Sequence, residues 1–547
     1  MISPRQVVSA LGTAARNRDV RRVQLAWGAA IASEWMHFVA LGVFAYEEGG
    51  TSAVGVAGLV RLLPAAIIAP FAASLGDRFR RERFLLALTL LGATALAGSA
   101  VAAFAGQRVV VFALAAVVGL VATLFRPALQ ALLPSLAHTP EELIASNGAT
   151  STIEGLGTLV GPILAGVLVA AADAGVVFAV AAGVLFAGSA MLALVRVEGR
   201  IDLTADSDDA SVRRLLSGGV RVVLKTKGAS MVVGLIVAQT FVRGCVNVLI
   251  VVAVFQVFHG SAGQVGYLTA AIGVGGLIGA LGAMTLKGRH LATVFGIALV
   301  AWGIPLILIA PRPYLGATIF LLAVVGAANS LEDVAVFTLL QRIVPDETLT
   351  RVLGLVWGLA MGGVALGSIA APVVVNLVGP RAAFAVVGSI LPLLTLITYR
   401  RLVELDSVVA PAAELELIES VPMFAPMSLA AKERVSTHLV RVPVQAGELV
   451  IRAGDLGDRF YIVADGELDI DVDGRHSTAG RADYFGEIAL LRDVPRTATV
   501  TASVDSLLYA LDRDDFLAAV TGHSAAHAAG EAVVDARLAG SVASQSR

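Results

Sequence analysis

The sequence predicts an all-α membrane protein of twelve transmembrane helices in two six-helix halves, followed by a soluble β-barrel or jelly-roll domain with flanking helices. Hydrophobic residues make up 57% of the 547 residues and charged residues only 15%, with a mean hydropathy of +0.82. Soluble proteins usually contain about 25% charged residues. After residue 420 the pattern changes to short alternating segments between glycines, which is typical of antiparallel strands.

Twelve stretches are apolar enough to cross a bilayer, which requires about twenty residues. Their predicted bounds are 23–45, 52–75, 84–105, 108–133, 147–171, 174–196, 229–257, 262–286, 290–311, 314–341, 350–377 and 380–400. Lys and Arg are concentrated in the N-terminal segment and the even-numbered connections, whereas the odd-numbered connections hold only Arg108, Arg312 and Arg381. Positive residues favour the cytoplasmic side. We therefore expect a multi-pass protein of the cell (inner) membrane with both termini and the β domain in the cytoplasm.

Charge divides the chain into two bodies. Residues 1–401 carry 28 Lys and Arg against 19 Asp and Glu, whereas residues 402–547 carry 12 against 23. This contrast predicts a junction near residues 402–420. The predicted segments are a cytoplasmic N-terminal segment (1–22), an N-terminal six-helix bundle (23–196), a cytoplasmic linker with an interfacial helix (197–228), a C-terminal bundle (229–401), a second linker (402–420), a β domain (421–521) and a tail (522–547) that is either a lid helix or a disordered end.

The two predicted halves share an internal repeat. Residues 143–166 align with residues 349–372 at a fixed offset of 206 residues. The offset matches three glycines in each half, Gly148, Gly157 and Gly161 with Gly354, Gly363 and Gly367. Parallel six-helix repeats are typical of alternating-access transporters, which bind substrate near the bilayer midplane between the halves. Small residues at four-residue spacing also predict close helix packing.

Ionisable side chains lie inside the predicted spans, where a charge is costly and suggests a function. They are Glu34, His37, Arg61, Arg126, Arg243, Glu332 and Asp333. One interpretation is a substrate and proton pathway. The simpler alternative is that Glu34 with Arg61, and Glu332 or Asp333 with Arg243 or Arg126, form salt bridges that hold helices together. For the set as a whole we expect a role in transport.

Two motifs connect the membrane body with a known family. AASLGDRFRRER (72–83) resembles the cytoplasmic signature of the major facilitator superfamily, although Ala73 and Arg80 replace two expected glycines. GTLVGPILAG (157–166) resembles the superfamily's fifth-helix signature, and RLLP (61–64) and FRPALQALLP (125–134) are similar to its macrolide and siderophore exporters. The resemblance implies that the first, fourth, seventh and tenth helices line a central cavity. It also implies a cytoplasmic gate at Asp77, Arg78 and Arg81.

FGEIALLRDVPRTATV (485–500) carries the chemistry of the β domain. Backbone N–H groups of Ile488 and Ala489, at the start of a predicted short helix, can bind a phosphate, and Gly486 permits its close approach. Arg496 can hold two phosphate oxygens. Glu487 repels a phosphate, so we expect it to accept a hydrogen bond from a hydroxyl group such as a ribose 2′-OH.

This stretch and the helix–barrel frame before it resemble the cyclic nucleotide-binding domain family. The resemblance implies that Glu487 contacts the ribose, and that the phosphate cradle consists of Gly486, Ile488, Ala489, Arg496 and Thr497. Ala482 stands where the family usually has glycine. Thr497 is compatible with a guanine contact, but family members with threonine also bind cAMP. We expect cAMP as the regulatory ligand, with cGMP as the alternative.

The predicted function is secondary active transport: export of a small organic molecule, driven by an ion gradient and regulated by cytoplasmic cyclic nucleotide. The alternatives are a transporter of lysophospholipids or other lipids, and a membrane-tethered nucleotide sensor that does not transport. The sequence contains no nucleophile–base pair, metal-ligand cluster or Walker loop, so we expect no enzyme, metal site or ATP-driven pump. The expected partners are the bilayer, the nucleotide and a small-molecule substrate, without nucleic acid, and the oligomeric state stays open.

Overall fold

In the computed structural model the chain forms two compact units, Met1–Val403 and Glu404–Arg547. The structure describes residues 17–68, 80–136, 140–195, 212–226, 228–283, 290–344, 346–407, 412–427, 431–432, 435–436, 438–521 and 524–545. The predicted gate residues Asp77 and Arg78 lie outside the described residues, whereas Arg81 begins a helix. The gate therefore stays a prediction.

The first unit consists of helices. They are α1 (Arg18–Ile68), α2 (Arg81–Phe104), α3 (Arg108–Leu136), α4 (Pro140–Ala171), α5 (Ala174–Ala193), α6 (Val212–Lys225), α7 (Ala229–Val252), α8 (Gly263–Ala283), α9 (Leu291–Ile309), α10 (Leu315–Ile343), α11 (Asp346–Val378) and α12 (Pro380–Ser407). A π-helical turn, Ala253–Val257, continues α7. α6 lies in the predicted linker 197–228, and its position at the membrane interface stays a prediction.

Eleven helices in the described part of the chain are long and apolar enough to cross a membrane. α1 has 51 residues, far more than one crossing requires, and its backbone leaves the helical region at Gly49 and Gly50. The first two predicted spans therefore lie in one broken helix, and the other ten spans correspond to one helix each. The multi-pass helical fold is confirmed, while the number of twelve crossings stays a prediction.

The internal repeat reappears in the packing of the helices. Glycines of α4 lie against α1, and the corresponding glycines of α11 lie against α7. A Cβ atom added to Gly157 would be 2.4 Å from Cγ2 of Ile31. The contacts are Gly157–Ile31 and Gly161–Trp35 in the first half, and Gly363–Val237 and Gly367–Phe241 in the second. Adding 206 to both residue numbers of a contact in the first half gives the corresponding contact in the second half. The predicted close packing is therefore the same in the two repeats.

The two halves meet at the end of the bundle that carries the odd-numbered connections. Gln256 donates a hydrogen bond to the Thr51 hydroxyl over 3.1 Å, and the rings of Tyr46 and Phe255 stack with centroids 4.4 Å apart. Toward the opposite end, the side chain of Arg126 is half-exposed. A cavity between the halves is lined by residues of both, such as Arg61 and Asn247, and the described residues close the space between the halves at the odd-numbered connections.

The second unit begins with the last residues of α12, continues with α13 (Ala412–Ser420) and contains two four-stranded antiparallel sheets. The strands are β1 (Val440–Val444), β2 (Leu449–Ile451), β3 (Arg459–Asp465), β4 (Leu468–Val472), β5 (Arg475–Ala479), β6 (Tyr484–Phe485), β7 (Thr499–Ala502) and β8 (Ser506–Asp512). The helices that follow β6 and β8 are α14 (Glu487–Arg492), α15 (Arg513–Thr521) and α16 (Ser524–Gln545). The sheet orders are β1-β8-β3-β6 and β2-β7-β4-β5. The predicted β-barrel or jelly-roll domain with flanking helices is confirmed, and it is an antiparallel β-sandwich.

Two apolar clusters stabilise this unit. One fills the space between the sheets with residues such as Val463, Leu468 and Leu508. The other joins α13 to α14, α15 and α16 around Phe460. Ala482, at the turn before β6, has a φ of +73°, a left-handed conformation that favours glycine. Its N–H nevertheless donates to the carbonyl oxygen of Val463 over 2.9 Å, so the turn forms despite the alanine.

Candidate functional site

The end of β6 and the start of α14 form a cradle of backbone N–H groups. Gly486 caps the helix with a φ of +93°. A Cβ atom added to it would be 2.6 Å from Nη1 of Arg496, so no larger residue fits without displacing that side chain. The free N–H groups of the first turn of α14, at Ile488 and Ala489, follow directly.

Arg496 approaches the cradle from the loop between α14 and β7 and is only 5% exposed. Its Nη1 donates to the carbonyl oxygen of Gly486 over 3.0 Å, and its Nη2 donates to the carbonyl oxygen of Arg459 over 2.7 Å. Nη2 also contacts the Asp458 carboxylate over 3.2 Å. Because the Asp458 side chain is 76% exposed, this ion pair is weak. A phosphate can therefore replace Asp458 as the anionic partner of Arg496.

Glu487 is the buried acidic group of the cradle, with a side chain only 1% exposed. Its Oε1 accepts a hydrogen bond from Nη1 of Arg537 over 2.7 Å. Its Oε2 has no hydrogen-bond partner among the described residues. Buried polar atoms are nearly always paired, so this oxygen fits a hydroxyl donor on a bound ligand. Burial raises the pKa of Glu487, and the charge of Arg537 partly offsets that rise.

Helix α16 brings Arg537 to the cradle. Nη2 of Arg537 donates to the carbonyl oxygen of Tyr484 over 3.1 Å, and its guanidinium lies 4.5 Å from the centroid of the Tyr484 ring. Arg492, in the last turn of α14, pairs with Glu531 and Asp535 over 2.9 and 2.6 Å. The tail was predicted to be either a lid helix or a disordered end, and in the structure residues 524–545 are helical.

Removal of Arg537 should loosen α16 in a pH-dependent way. A carboxyl group whose pKa is raised by folding contributes stability at low pH and loses it as the pH rises through the folded-state pKa. Arg537→Ala removes the favourable interaction of Arg537 with the ionised Glu487. The loss of α16 stability should therefore be small near pH 4.5, the ordinary pKa of glutamate, and should grow to about 1–2 kcal/mol at neutral pH. Hydrogen exchange of residues 524–537 in the full chain, corrected for intrinsic rates, measures this cost. In a Glu487→Gln background the pH dependence should vanish, and its persistence there would contradict the assignment.

The structure brings together Gly486, Glu487, Ile488, Ala489 and Arg496, as predicted. Thr497 is adjacent and exposed. Sequence reasoning missed three residues of the site, namely Arg537, Asp458 and Gly457. An added Cβ atom on Gly457 would be 2.8 Å from Cβ of Ala489, so this glycine lets its loop pack on α14. The glycine-rich run before β3 was a signal for that approach, whereas no local pattern indicated Arg537.

In the described residues of the first half, the two predicted intramembrane arginines each form an ion pair. Nη2 of Arg61 donates to Oε1 of Glu34 over 3.1 Å, as the salt-bridge alternative predicted. Arg126 pairs with Glu154 over 3.1 Å. The alternative that paired Arg126 with a carboxylate of the second half missed this contact, because Glu154 was not considered. Its position inside the fifth predicted span was the available signal.

The predicted residues of the second half form a polar network between α7 and α10. Gln239 donates to the amide oxygen of Asn329 over 3.3 Å, and Asn329 donates to Oδ2 of Asp333 over 2.9 Å. Glu332 is buried beside them. Arg243 interacts electrostatically with both Glu332 and Asp333.

His37 lies apart from this network, in the interior of the first half. It is fully buried with its ring centroid 5.6 Å from that of Phe178, and neither ring nitrogen has a hydrogen-bond partner among the described residues. Within the same described ranges, no group of three or more His, Cys, Asp and Glu is arranged to hold a metal ion.

Two family models match the chain. The Major Facilitator Superfamily model matches residues 25–242 and 232–445. The chain belongs to this superfamily. The cyclic nucleotide-binding domain model matches residues 441–523, which include the cradle from β6 to Thr497. This superfamily member thus carries a C-terminal cyclic nucleotide-binding domain.

The chain is also similar to regulatory proteins of known activity. It is 36% identical over 102 residues to a cAMP-dependent protein kinase regulatory subunit of Schizosaccharomyces pombe, covering 18% of this chain and 25% of that protein. A Dictyostelium discoideum regulatory subunit is 37% identical over 128 residues, covering 22% and 39%. The solved regulatory domain of Toxoplasma gondii PKA with cAMP is 32% identical, covering 20% of this chain and 43% of that one, with a TM-score of 0.19. The chain thus spans less than half of each of these relatives.

Proposed function

We propose that this superfamily member is a secondary active transporter of the cell membrane, an ion-coupled exporter of a small organic molecule, controlled by cAMP bound in the cytoplasm. The observation that carries this proposal is the cradle, in which a buried Arg496 and a buried Glu487 flank the start of α14. The same chain carries the cavity between two superfamily halves. One molecule therefore joins a nucleotide site to a transport body.

The cradle has complementary groups for a cyclic nucleotide. The phosphate receives the N–H groups of Ile488 and Ala489 and the guanidinium of Arg496. The free Oε2 of Glu487 accepts the ribose 2′-OH. The similar regulatory subunits are named as cAMP-dependent, which favours cAMP over the alternative cGMP.

Contacts between the two halves of the membrane unit support the proposed transport. The halves touch at the odd-numbered connections. The basic residues favour the side of the even-numbered connections as the cytoplasmic side. In this proposal, transport requires the Gln256–Thr51 contact to break.

Helix α13 connects the nucleotide-binding domain to the membrane unit along the chain. Oη of Tyr509 donates to Glu414 over 3.0 Å, and Nε of Arg441 donates to the same Tyr509 oxygen over 3.0 Å. These contacts tie α13 to β1 and β8. Residues 408–411 connect α13 to the membrane helix α12. Bound nucleotide can shift the conformational equilibrium of the membrane unit only to the extent that its affinity differs between the two transport states. In this proposal, the connection between α12 and α13 couples nucleotide binding to that equilibrium.

Calorimetry on the full-length protein with cAMP and 2′-deoxy-cAMP tests the cradle. Loss of the 2′-hydroxyl leaves the buried Glu487 oxygen unpaired, so we expect about tenfold weaker binding of the deoxy compound. Glu487→Gln should reduce this discrimination. Absence of cAMP binding, or equal affinity for both nucleotides in the native protein, would contradict the proposed site.

A further inference from the structure

The membrane charge network contains more carboxylates than arginines. Its described members are Glu34, Glu154, Glu332 and Asp333 against Arg61, Arg126 and Arg243. The pairs Arg61–Glu34 and Arg126–Glu154 neutralise two of each. Arg243 is then the one remaining arginine of the network for the two carboxylates of Glu332 and Asp333. The network therefore has one negative charge in excess when every group is ionised, and a cavity in the bilayer strongly favours its neutralisation.

The excess charge is located at Glu332 and Asp333 on α10. Glu332 is 2% exposed, and its Oε2 has no hydrogen-bond partner in the described part of the chain. Asp333 is exposed and, among the described residues, receives one hydrogen bond, from Asn329. Arg243 of α7 and Arg126 of α3 both act on Asp333 electrostatically.

Asp333 also interacts electrostatically with the first half. Its charge acts on Glu154 of α4, which is itself paired with Arg126 and influenced by Glu34. All of the charged groups around Asp333 thus come from α3, α4, α7 and α10. Two of the three arginines already have carboxylate partners, so an anionic substrate would have to break an existing pair. A cation meets an unpaired carboxylate instead.

An aromatic surface lies one helical turn from Asp333. Phe337 stacks on Trp357 of α11 with ring centroids 5.5 Å apart and planes inclined by 24°. Trp357 is 44% exposed although it is large and apolar. Positions i and i+4 share one face of a helix, so Phe337 and Asp333 point toward the same region. Aromatic faces attract cations as well as apolar groups.

We propose that the transported substrate is a lipophilic organic monocation. Its positive charge binds at Asp333 beside Glu332, and its apolar part packs on the Phe337–Trp357 pair. In the absence of substrate a single proton neutralises the same two carboxylates, so cation and proton compete for one site. This inference rests on the proposed transport function and specifies its substrate class and coupling ion.

The test is equilibrium binding of radiolabelled tetraphenylphosphonium to the full-length protein in nanodiscs, with tetraphenylborate as the anion of the same shape. We expect saturable binding of the phosphonium only, with release of up to one proton per cation in unbuffered solution. Asp333→Asn and Glu332→Gln should each weaken binding about tenfold, and Trp357→Ala about three- to tenfold. Glu48→Gln, which removes an exposed carboxylate at the closed end, should leave binding unchanged.

Three results would overturn this inference: no saturable binding of the phosphonium, equal binding of the borate, or unchanged affinity in both carboxylate variants. Denaturation by SDS like that of the native protein, followed by the tryptophan fluorescence of the first unit, shows that the membrane unit of each variant is folded. A protein that binds cAMP and changes conformation with it, but does not bind the cation, refutes the substrate class alone. A protein that binds the cation but does not respond to cAMP refutes the regulation alone.

Discussion

Arg496→Ala is expected to weaken cAMP binding by the full-length protein at least a hundredfold. The guanidinium is the buried cation of the cradle and lies 2.6 Å from the position that a Cβ atom of Gly486 would occupy. Hydrogen bonds to charged groups contribute about 1.5–3 kcal/mol each, and a hundredfold loss in affinity corresponds to about 2.8 kcal/mol. Isothermal titration calorimetry of the protein in detergent measures the change.

Two control variants separate binding from folding. Arg496 also holds the carbonyl oxygens of Gly486 and Arg459, so its removal loosens the loop as well. Arg496→Lys keeps the positive charge but loses the planar guanidinium that can donate two hydrogen bonds to one phosphate. It should therefore recover only part of the affinity for cAMP. Arg475→Ala removes an exposed arginine on the β4–β5 hairpin and should bind cAMP like the native protein. Affinity of Arg496→Ala within threefold of the native value would show that the cradle is not the nucleotide site.

Glu34→Gln should destabilise the membrane unit by about 2–3 kcal/mol. The substitution leaves the buried Arg61 without its carboxylate partner, and breaking a buried ion pair costs about 3–5 kcal/mol. We expect a cost at or just below the lower end of this range because Glu34 is partly exposed. The four tryptophans, Trp27, Trp35, Trp302 and Trp357, all lie in the first unit, so their fluorescence during denaturation by SDS reports this unit alone.

The double variant Glu34→Gln/Arg61→Met should recover much of the lost stability, because it removes the stranded charge. Asp19→Asn is the matched control. It breaks the pair of Asp19 with Arg22 at the start of α1, a partly exposed contact that should contribute less than about 1 kcal/mol. Equal effects of Glu34→Gln and Asp19→Asn would mean that the Glu34–Arg61 pair is not a buried one.

The sequence predicts features that depend on nearby residues and misses those that depend on packing. The cradle lies between Gly486 and Thr497, so its chemistry could be argued from one stretch. Arg537 was missed because it reaches Glu487 from 50 residues away. Hydropathy located the membrane helices, but which of their faces meet is set in three dimensions. Arg126 therefore pairs with Glu154 on the next helix, a partner that could not be predicted from the charges in the sequence alone.

The claim that nucleotide in the cradle controls the membrane unit is tested most directly by distances across the closed end of the cavity. Spin labels on Thr51→Cys and Gln256→Cys, in a Cys245→Ala background, replace a pair that is in hydrogen-bond contact in this structure. In nanodiscs we predict that saturating cAMP changes the fraction of molecules at the short distance, and that Arg496→Ala abolishes the change. An unchanged distance distribution, in a sample where calorimetry shows bound cAMP, would contradict control of transport and favour a tethered sensor.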